Sequence, residues 1–201
     1  LQKLFIFYHN KNNILPHIEA ISLNKINDSI YETAKIETSG KIGLGIQMFD
    51  SEDLSNSRNG VYSTKVIVNG KIISHYEFDQ LIIDESKKLY NVLDYKNYVQ
   101  KRLKIFKLFY KEDIILNFMN SLIEHGIFEI ELGKSYQILV EVEDFSGNKS
   151  IIESYIEGKE NLMKQVMLGG EFIETDQDYL YSFKNKEVYF PTNTFFDTVK
   201  I

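Results

Sequence analysis

Along Tyr136–Glu143, Tyr136, Ile138, Val140 and Val142 alternate with Gln137, Leu139, Glu141 and Glu143. Alternate side chains of a strand point to opposite faces, so this spacing predicts a strand with one apolar and one mostly polar face. Asp144 follows, able to bond its own backbone and open a turn, and Gly147-Asn148 tolerate positive φ. Lys149–Ile152 then begins a return strand. Earlier, Ile42, Leu44, Ile46 and Met48 share one face, while Gly43, Gly45 and Gln47 share the other. Two glycines on one strand face imply that another backbone or a large aromatic ring lies close. Between two β-branched runs stands Asn69-Gly70, the strongest short-range hairpin signal.

Strands are also expected around Ile18–Leu23, Ser29–Glu37, Lys41–Asp50 and Val61–Phe78. The segment 84–128 breaks this pattern. Asp84 is a fair helix cap, and Leu89, Val92, Leu93, Tyr95, Tyr98 and Val99 follow a loose helical period. Ile114, Ile115, Phe118, Met119, Leu122 and Ile123 follow it well, with Gly126 as a C-terminal cap. The expected fold is therefore mainly β: an immunoglobulin-like antiparallel β-sandwich, with a helical insertion and the start of a second β module. Residues 1–13 read as the tail of a preceding segment or a short strand. Residues 14–155 read as the sandwich, with its insertion of two short helices at about 84–128. Residues 156–178 read as a linker around Gly169-Gly170, and 179–201 as the truncated start of a further β module.

Composition narrows the classes of function. Of 201 residues, 43% are hydrophobic, enough for a core. The net charge of −6 argues against nucleic acid as a partner, which would need a basic face. One basic stretch stands out, Lys96–Lys111 with Lys101, Arg102, Lys104 and Lys107, and its simplest reading is a solvated helix face. The absence of cysteine excludes disulfides, thiolate zinc sites and cysteine nucleophiles. No apolar run reaches the roughly 20 residues that span a bilayer as a helix. The chain starts at Leu1 rather than Met, which suggests a fragment or processed product.

Candidate chemistry is sparse. His75 and Asp79 have the His-x-x-x-Asp spacing of two zinc ligands. On a strand, however, residues four apart lie about 13 Å from one another, too far for one ion. His9, His17 and His125 form no His-x-His pair. Asp50, Glu52, Asp53, Asn56 and Asn59 could offer oxygens to calcium but lack full loop spacing, so a solvated loop is the simpler reading. The same holds for Glu141, Glu143 and Asp144. Tyr8, Tyr31, Tyr62, Tyr76, Tyr90, Tyr95, Tyr98 and Tyr110 could stack on sugars or form a protein interface, or could simply be sandwich residues. No catalytic, cofactor-binding or metal-binding residue is assigned.

Gly40-Lys-Ile-Gly-Leu-Gly-Ile46 with Asp50, Asn59-Gly-Val-Tyr-Ser63, Val68-Asn-Gly-Lys71, Val140–Asn148 and Val188–Asp197 together resemble the region downstream of the catalytic domain in lysostaphin-type (LytM-like) zinc metallopeptidases of Gram-negative bacteria. Phe78-Asp79, Asp84-Glu85, Asp94-Tyr95 and Gln100-Lys101 are similar in order and spacing, over roughly Ile18 to Asp197. The resemblance implies a non-catalytic accessory module that positions or docks a peptidoglycan endopeptidase, periplasmic or outer-membrane-associated. It implies zinc only in a catalytic domain before Leu1, and as partners that domain, an envelope protein or peptidoglycan. Lacking His-x-His, the chain departs from the family's ligand pattern, so no catalytic residue carries over and activity of the chain alone is not expected. The alternative is a stand-alone immunoglobulin-like binding or adhesion module, or a scaffold subunit of an envelope complex.

Overall fold

The protein is described from a computed structural model, covering residues 3–9, 17–47, 50–51, 58–59, 61–78, 92–110, 118–160, 172–173, 176–183, 186–195 and 199–200. The chain divides into two compact units, Leu1–Asn161 and Leu162–Ile201. In the first, β1 is Lys3–His9, β2 His17–Lys25, β3 Ile30–Thr33, β4 Ile36–Thr38 and β5 Gly40–Gln47. The short pair β6 (Asp50–Ser51) and β7 (Arg58–Asn59) precedes β8, Ser63–Val68, and β9, Lys71–Glu77. Helix α1, Tyr95–Lys101, is followed by β10 (Phe106–Lys107), β11 (Met119–Leu122), β12 (Phe128–Ile130), β13 (Ser135–Glu143) and β14 (Lys149–Gly158).

Apart from β6 and β7, which pair only with each other, these strands form one curled sheet of 12 that folds into two layers. In one layer β5 lies between β1 on one side and β12 with β10 on the other. In the other layer the order is β14-β13-β8-β9-β11. The neighbours β14, β13 and β8 correspond to strands G, F and C of the immunoglobulin arrangement, and β1, β5 and β12 to A, B and E. Strand β2 crosses between layers, pairing with β1 through His17–Ser22 and with β3 through Leu23–Lys25. The sandwich is not wholly antiparallel, because β3 and β4 run parallel to β14.

The layers differ in how they are buried. On β13 and β14, Ile138, Val140, Val142, Ile152 and Ile156 face the core and are buried, while their neighbours are half-buried or exposed. On β1, Leu4 through Tyr8 are all buried. Leu4, Ile6 and Tyr8 pair with Ile46, Leu44 and Ile42 and supply the inter-layer core, while Phe5 and Phe7 pair with Gly45 and Gly43 on the opposite face. That outer face is covered by the segment after α1: Phe5, Phe7, Ile105 and Phe109 form one buried cluster flanked by Leu103 and Ile127. The Phe7 and Phe109 rings meet edge to face at 5.0 Å. A Cβ on Gly43 would overlap the Phe109 ring, and one on Gly45 would lie 2.6 Å from the Phe7 ring. The glycine stripe thus marks the seat of an aromatic strap, as its spacing predicts.

Several expectations change. Of the two readings of residues 1–13, residues 3–9 form a strand integral to the sandwich. Strand β14 continues past the expected border at Tyr155 to Gly158, where a side chain would overlap the Glu131 carbonyl. The helical period through Phe118–Ile123 does not yield a helix over its described part: Met119–Leu122 is a strand paired with β9. There the open edge of β9 offers backbone partners that override local periodicity. Gly126 closes a single 3-10 turn with φ +77 rather than an α-helix. The proposed cap Asp84 and the stretch 156–178, beyond its strand ends and Asp176–Asp178, lie largely outside the described residues. Asn69 and Gly70 have φ of 49° and 80°, the hairpin turn that their sequence announces.

In the second unit β15 (Phe172–Ile173) pairs with β18 (Val199–Lys200), and β16 (Tyr179–Phe183) forms a hairpin with β17 (Lys186–Phe190). Among the described residues no helix is long and apolar enough to cross a membrane.

Candidate functional site

Three connections leave the same end of the sandwich: 48–62 between β5 and β8, 78–118 between β9 and β11, and the turn 144–148 between β13 and β14. In the immunoglobulin arrangement the corresponding B–C, C′–C″ and F–G connections supply the recognition loops of variable domains. Register explains the convergence: Ser63 is opposite both Glu143 and Glu77, and Glu143 is opposite Lys149.

Backbone hydrogen bonds lace the loop ends together. Tyr62 N–H donates to the Glu143 carbonyl at 2.8 Å, Phe78 N–H to the Tyr62 carbonyl at 2.7 Å, and Glu77 N–H to the Phe118 carbonyl at 2.7 Å. The Tyr62 hydroxyl donates to the Glu77 carboxylate. Beneath them the rings of Tyr76, Phe78 and Phe118 pack together, Phe78 and Phe118 at 5.0 Å, and Phe78 also meets Phe106 of the strap.

The turn at the tip is equally fixed. Asp144 accepts from the N–H groups of Ser146 and Asn148 at 2.8 and 2.9 Å, and from the Asn148 side chain at 2.7 Å. The Asn148 side-chain bond, aided by these backbone donors and opposed by slight desolvation, holds the Asp144 carboxyl below its ordinary pKa. Gly147 takes φ +85 and supplies the left-handed residue; Asn148 does not. This turn projects Phe145, which is 68% exposed and rests edge to face on Tyr62 at 5.3 Å. Lys149 pairs with Glu143 at 3.5 Å beside it. Phe145 is not among the candidate residues that the sequence singles out. Its signal was available: an aromatic immediately after the aspartate of a five-residue turn has no core face to occupy.

The other candidates do not converge here. His75 sits on β9 opposite Lys65 and Ser121. Burial, then Lys65, pushes its imidazole pKa down, with Glu77 pulling the other way. Asp79 lies outside the described residues, as do Glu52, Asp53 and Asn56, while Asp50 pairs with Asn59 by backbone. Among the described residues no group of three or more His, Asp or Glu side chains is placed to hold a metal ion. Glu141 and Glu143 are half-buried on β13, opposite Lys65 and Ser63. Tyr8, Tyr76 and Tyr110 are buried, which removes them from an exposed aromatic surface; Tyr90 is outside the described residues, Tyr31, Tyr62 and Tyr98 are half-buried, and Tyr95 is exposed. Burial and then the hydrogen bond to Glu19, at 2.7 Å, push the Tyr8 phenol well above its ordinary pKa.

The arrangement offers an aromatic knob on a rigid base, which suits docking. No curated protein and no solved structure matches the chain. The sequence model of one protein family, of uncharacterised function, matches residues 15–157, and the chain belongs to that family.

Proposed function

We propose that the chain is a non-catalytic recognition module that docks a protein partner through the pole formed by Tyr62, Phe145 and the turn 144–148. The observation that carries this reading is Phe145, held 68% exposed at the tip of a turn fixed from both sides by Asp144 and Tyr62. Exposing an aromatic ring costs solvation free energy that burial against a partner recovers, and aromatic side chains are frequent anchors of interfaces. The sequence resemblance supports a narrower form: an accessory module that positions or docks a periplasmic peptidoglycan endopeptidase of the lysostaphin type, the partner being its zinc domain or an envelope protein.

The test uses the full 201-residue chain. Titrated calorimetrically against the zinc domain of a lysostaphin-type peptidase, the chain binds, and Phe145→Ser weakens binding by about tenfold or more. The chain with added zinc cleaves no peptidoglycan by itself. Binding untouched by Phe145→Ser would show that the pole is not the docking surface. Cleavage by the chain alone overturns the non-catalytic reading. No binding to the zinc domain, together with co-sedimentation with peptidoglycan that Phe145→Ser abolishes, favours the stand-alone binding module.

A further inference from the structure

We infer that the outward side of α1 and the turn that follows it bind an acidic polypeptide segment. Tyr95 and Val99 are 44% and 50% exposed, and they stand one helical turn apart on the same side of α1. Along α1 and the turn that follows it, Lys96, Lys101, Arg102 and Lys104 are all exposed. None of these four makes an ion pair or hydrogen bond through its side chain among the described residues. Elsewhere Lys25, Lys35, Lys134, Lys149 and Lys159 are each paired with carboxylates.

Helix chemistry alone does not account for the cluster. Lys101 and Arg102 stand at the helix C-terminus, where cations are favoured by the backbone carbonyls. Lys96 lies in the first turn, where they are not, and Lys104 lies beyond the helix. The excursion is also held in one shape. The Asp94 carboxylate accepts from the Asn97 N–H at 3.1 Å and from its side chain at 2.6 Å. Asp94 N–H donates to the Ile105 carbonyl at 2.9 Å, Leu103 N–H donates to the Asn97 carbonyl at 3.3 Å, and Leu93 bridges Phe106. The cations are therefore displayed from a closed loop whose base is the strap packed on Gly43 and Gly45, so little backbone ordering is left for binding to supply.

Charge selects the partner class. The chain as a whole is at −6, with 29 acidic residues. A bilayer or a nucleic-acid polymer would bring a broad anionic surface against that acidic body, within a screening length of about 8 Å. A narrow acidic segment with an apolar side chain can meet Tyr95, Val99 and the cations that flank them without that repulsion.

The probe is a short fluorescent peptide of Asp and Glu with one central Leu, followed by polarisation with the full chain. Binding is expected, weakening as salt rises to roughly 0.3 M. Lys96→Glu with Lys104→Glu reduces affinity about tenfold or more. Tyr95→Ser reduces it less, and Phe145→Ser leaves it unchanged, which separates this surface from the loop pole. Circular dichroism confirms that each variant folds. Absence of binding, or binding indifferent to the charge reversal, overturns the inference. So does tighter charge-dependent binding to phosphatidylglycerol vesicles or duplex DNA. A concentration-dependent dimer that the same reversal dissolves also overturns it and makes a second copy the occupant.

Discussion

The strand pairs β1/β5 and β13/β14 belong to one sandwich but meet different surroundings. The second pair has one face on the core and one toward solvent, and its burial alternates residue by residue. The first pair is covered twice, by the opposite layer and by the strap, so Leu4-Phe-Ile-Phe-Tyr8 is buried throughout. An alternating sequence is the mark of a half-solvated sheet, and a continuous apolar run is the mark of one buried on both faces. The glycines at 43 and 45 complete the contrast, since the Phe109 ring of the strap fills the space over Gly43 and the Phe7 ring with Ile105 fills that over Gly45.

The contrast breaks most directly at Phe109. Phe109→Ala empties the seat under the strap and is expected to cost about 3–5 kcal/mol. Gly43→Ala forces a methyl group into the ring and is expected to cost about 1–3 kcal/mol. The two changes should not add, because removing the ring makes room for the methyl, and the double variant should be more stable than the sum predicts. On the solvent side of β13, Glu141→Ala should stay within about 0.5 kcal/mol. Urea unfolding of these variants gives all the values. A Gly43→Ala cost no larger than that of Glu141→Ala would mean that the strap does not press on β5.

The same physics explains what could be read from the sequence. The strands of β8, β9, β13 and β14, the Asn69-Gly70 turn and the Asp144 turn were legible because local chemistry and tertiary contact agree there. The glycine stripe was legible as a close approach, but which ring approaches depends on a segment some 60 residues away, which no local pattern specifies. Met119–Leu122 was misread because its apolar residues also fit a helical period, and only the unpaired edge of β9 decides for strand. The strand at Lys3–His9 was underread because a run buried on both faces carries no alternation. At the pole, Asp144 and Gly147 were visible as turn residues, whereas the partnership of Phe145 with Tyr62 needs the register that places Ser63 beside Glu143.

Inside the half-solvated layer the comparison sharpens between two buried hydroxyl settings. The hydroxyls of Thr33 and Ser154 bond one another at 2.8 Å across β3 and β14. Those of Thr64, Ser74 and Tyr76, on the inner face of β8 and β9, have no hydrogen-bond partner among the described residues. A buried donor without a partner costs about 1–3 kcal/mol of desolvation, whereas a satisfied one contributes about 1 kcal/mol. Tyr76→Phe is therefore expected to raise stability by about 1 kcal/mol, and Thr33→Val to lower it by a similar amount or more. Thermal unfolding tests the opposite signs. If Tyr76→Phe destabilises the protein, its hydroxyl is bonded in solution and the two settings are alike.

The hairpin of β16 and β17 supplies the limiting case, with apolar side chains exposed on both faces: Leu180 and Tyr189 on one, Val188 on the other. Burial contributes little there, and a polar hub takes its place. Asp178 accepts from the Tyr189 hydroxyl at 2.6 Å, the Thr192 hydroxyl at 2.7 Å and the Thr192 N–H at 2.8 Å. These bonds favour the carboxylate, Tyr189 most, and hold the Asp178 pKa at about 2. A carboxyl depressed on folding stabilises the folded form fully above its unfolded value of about 3.9, and that contribution is lost as pH falls through the folded value. The hairpin should thus keep its dispersion in the NMR spectrum at pH 5 and begin to lose it between about pH 4 and 2. Tyr189→Phe should move the Asp178 titration upward toward the ordinary range, read from its carboxyl carbon shift. A wild-type Asp178 that already titrates near 3.9 would show that the hub does not form and does not reinforce the backbone ladder of these two strands.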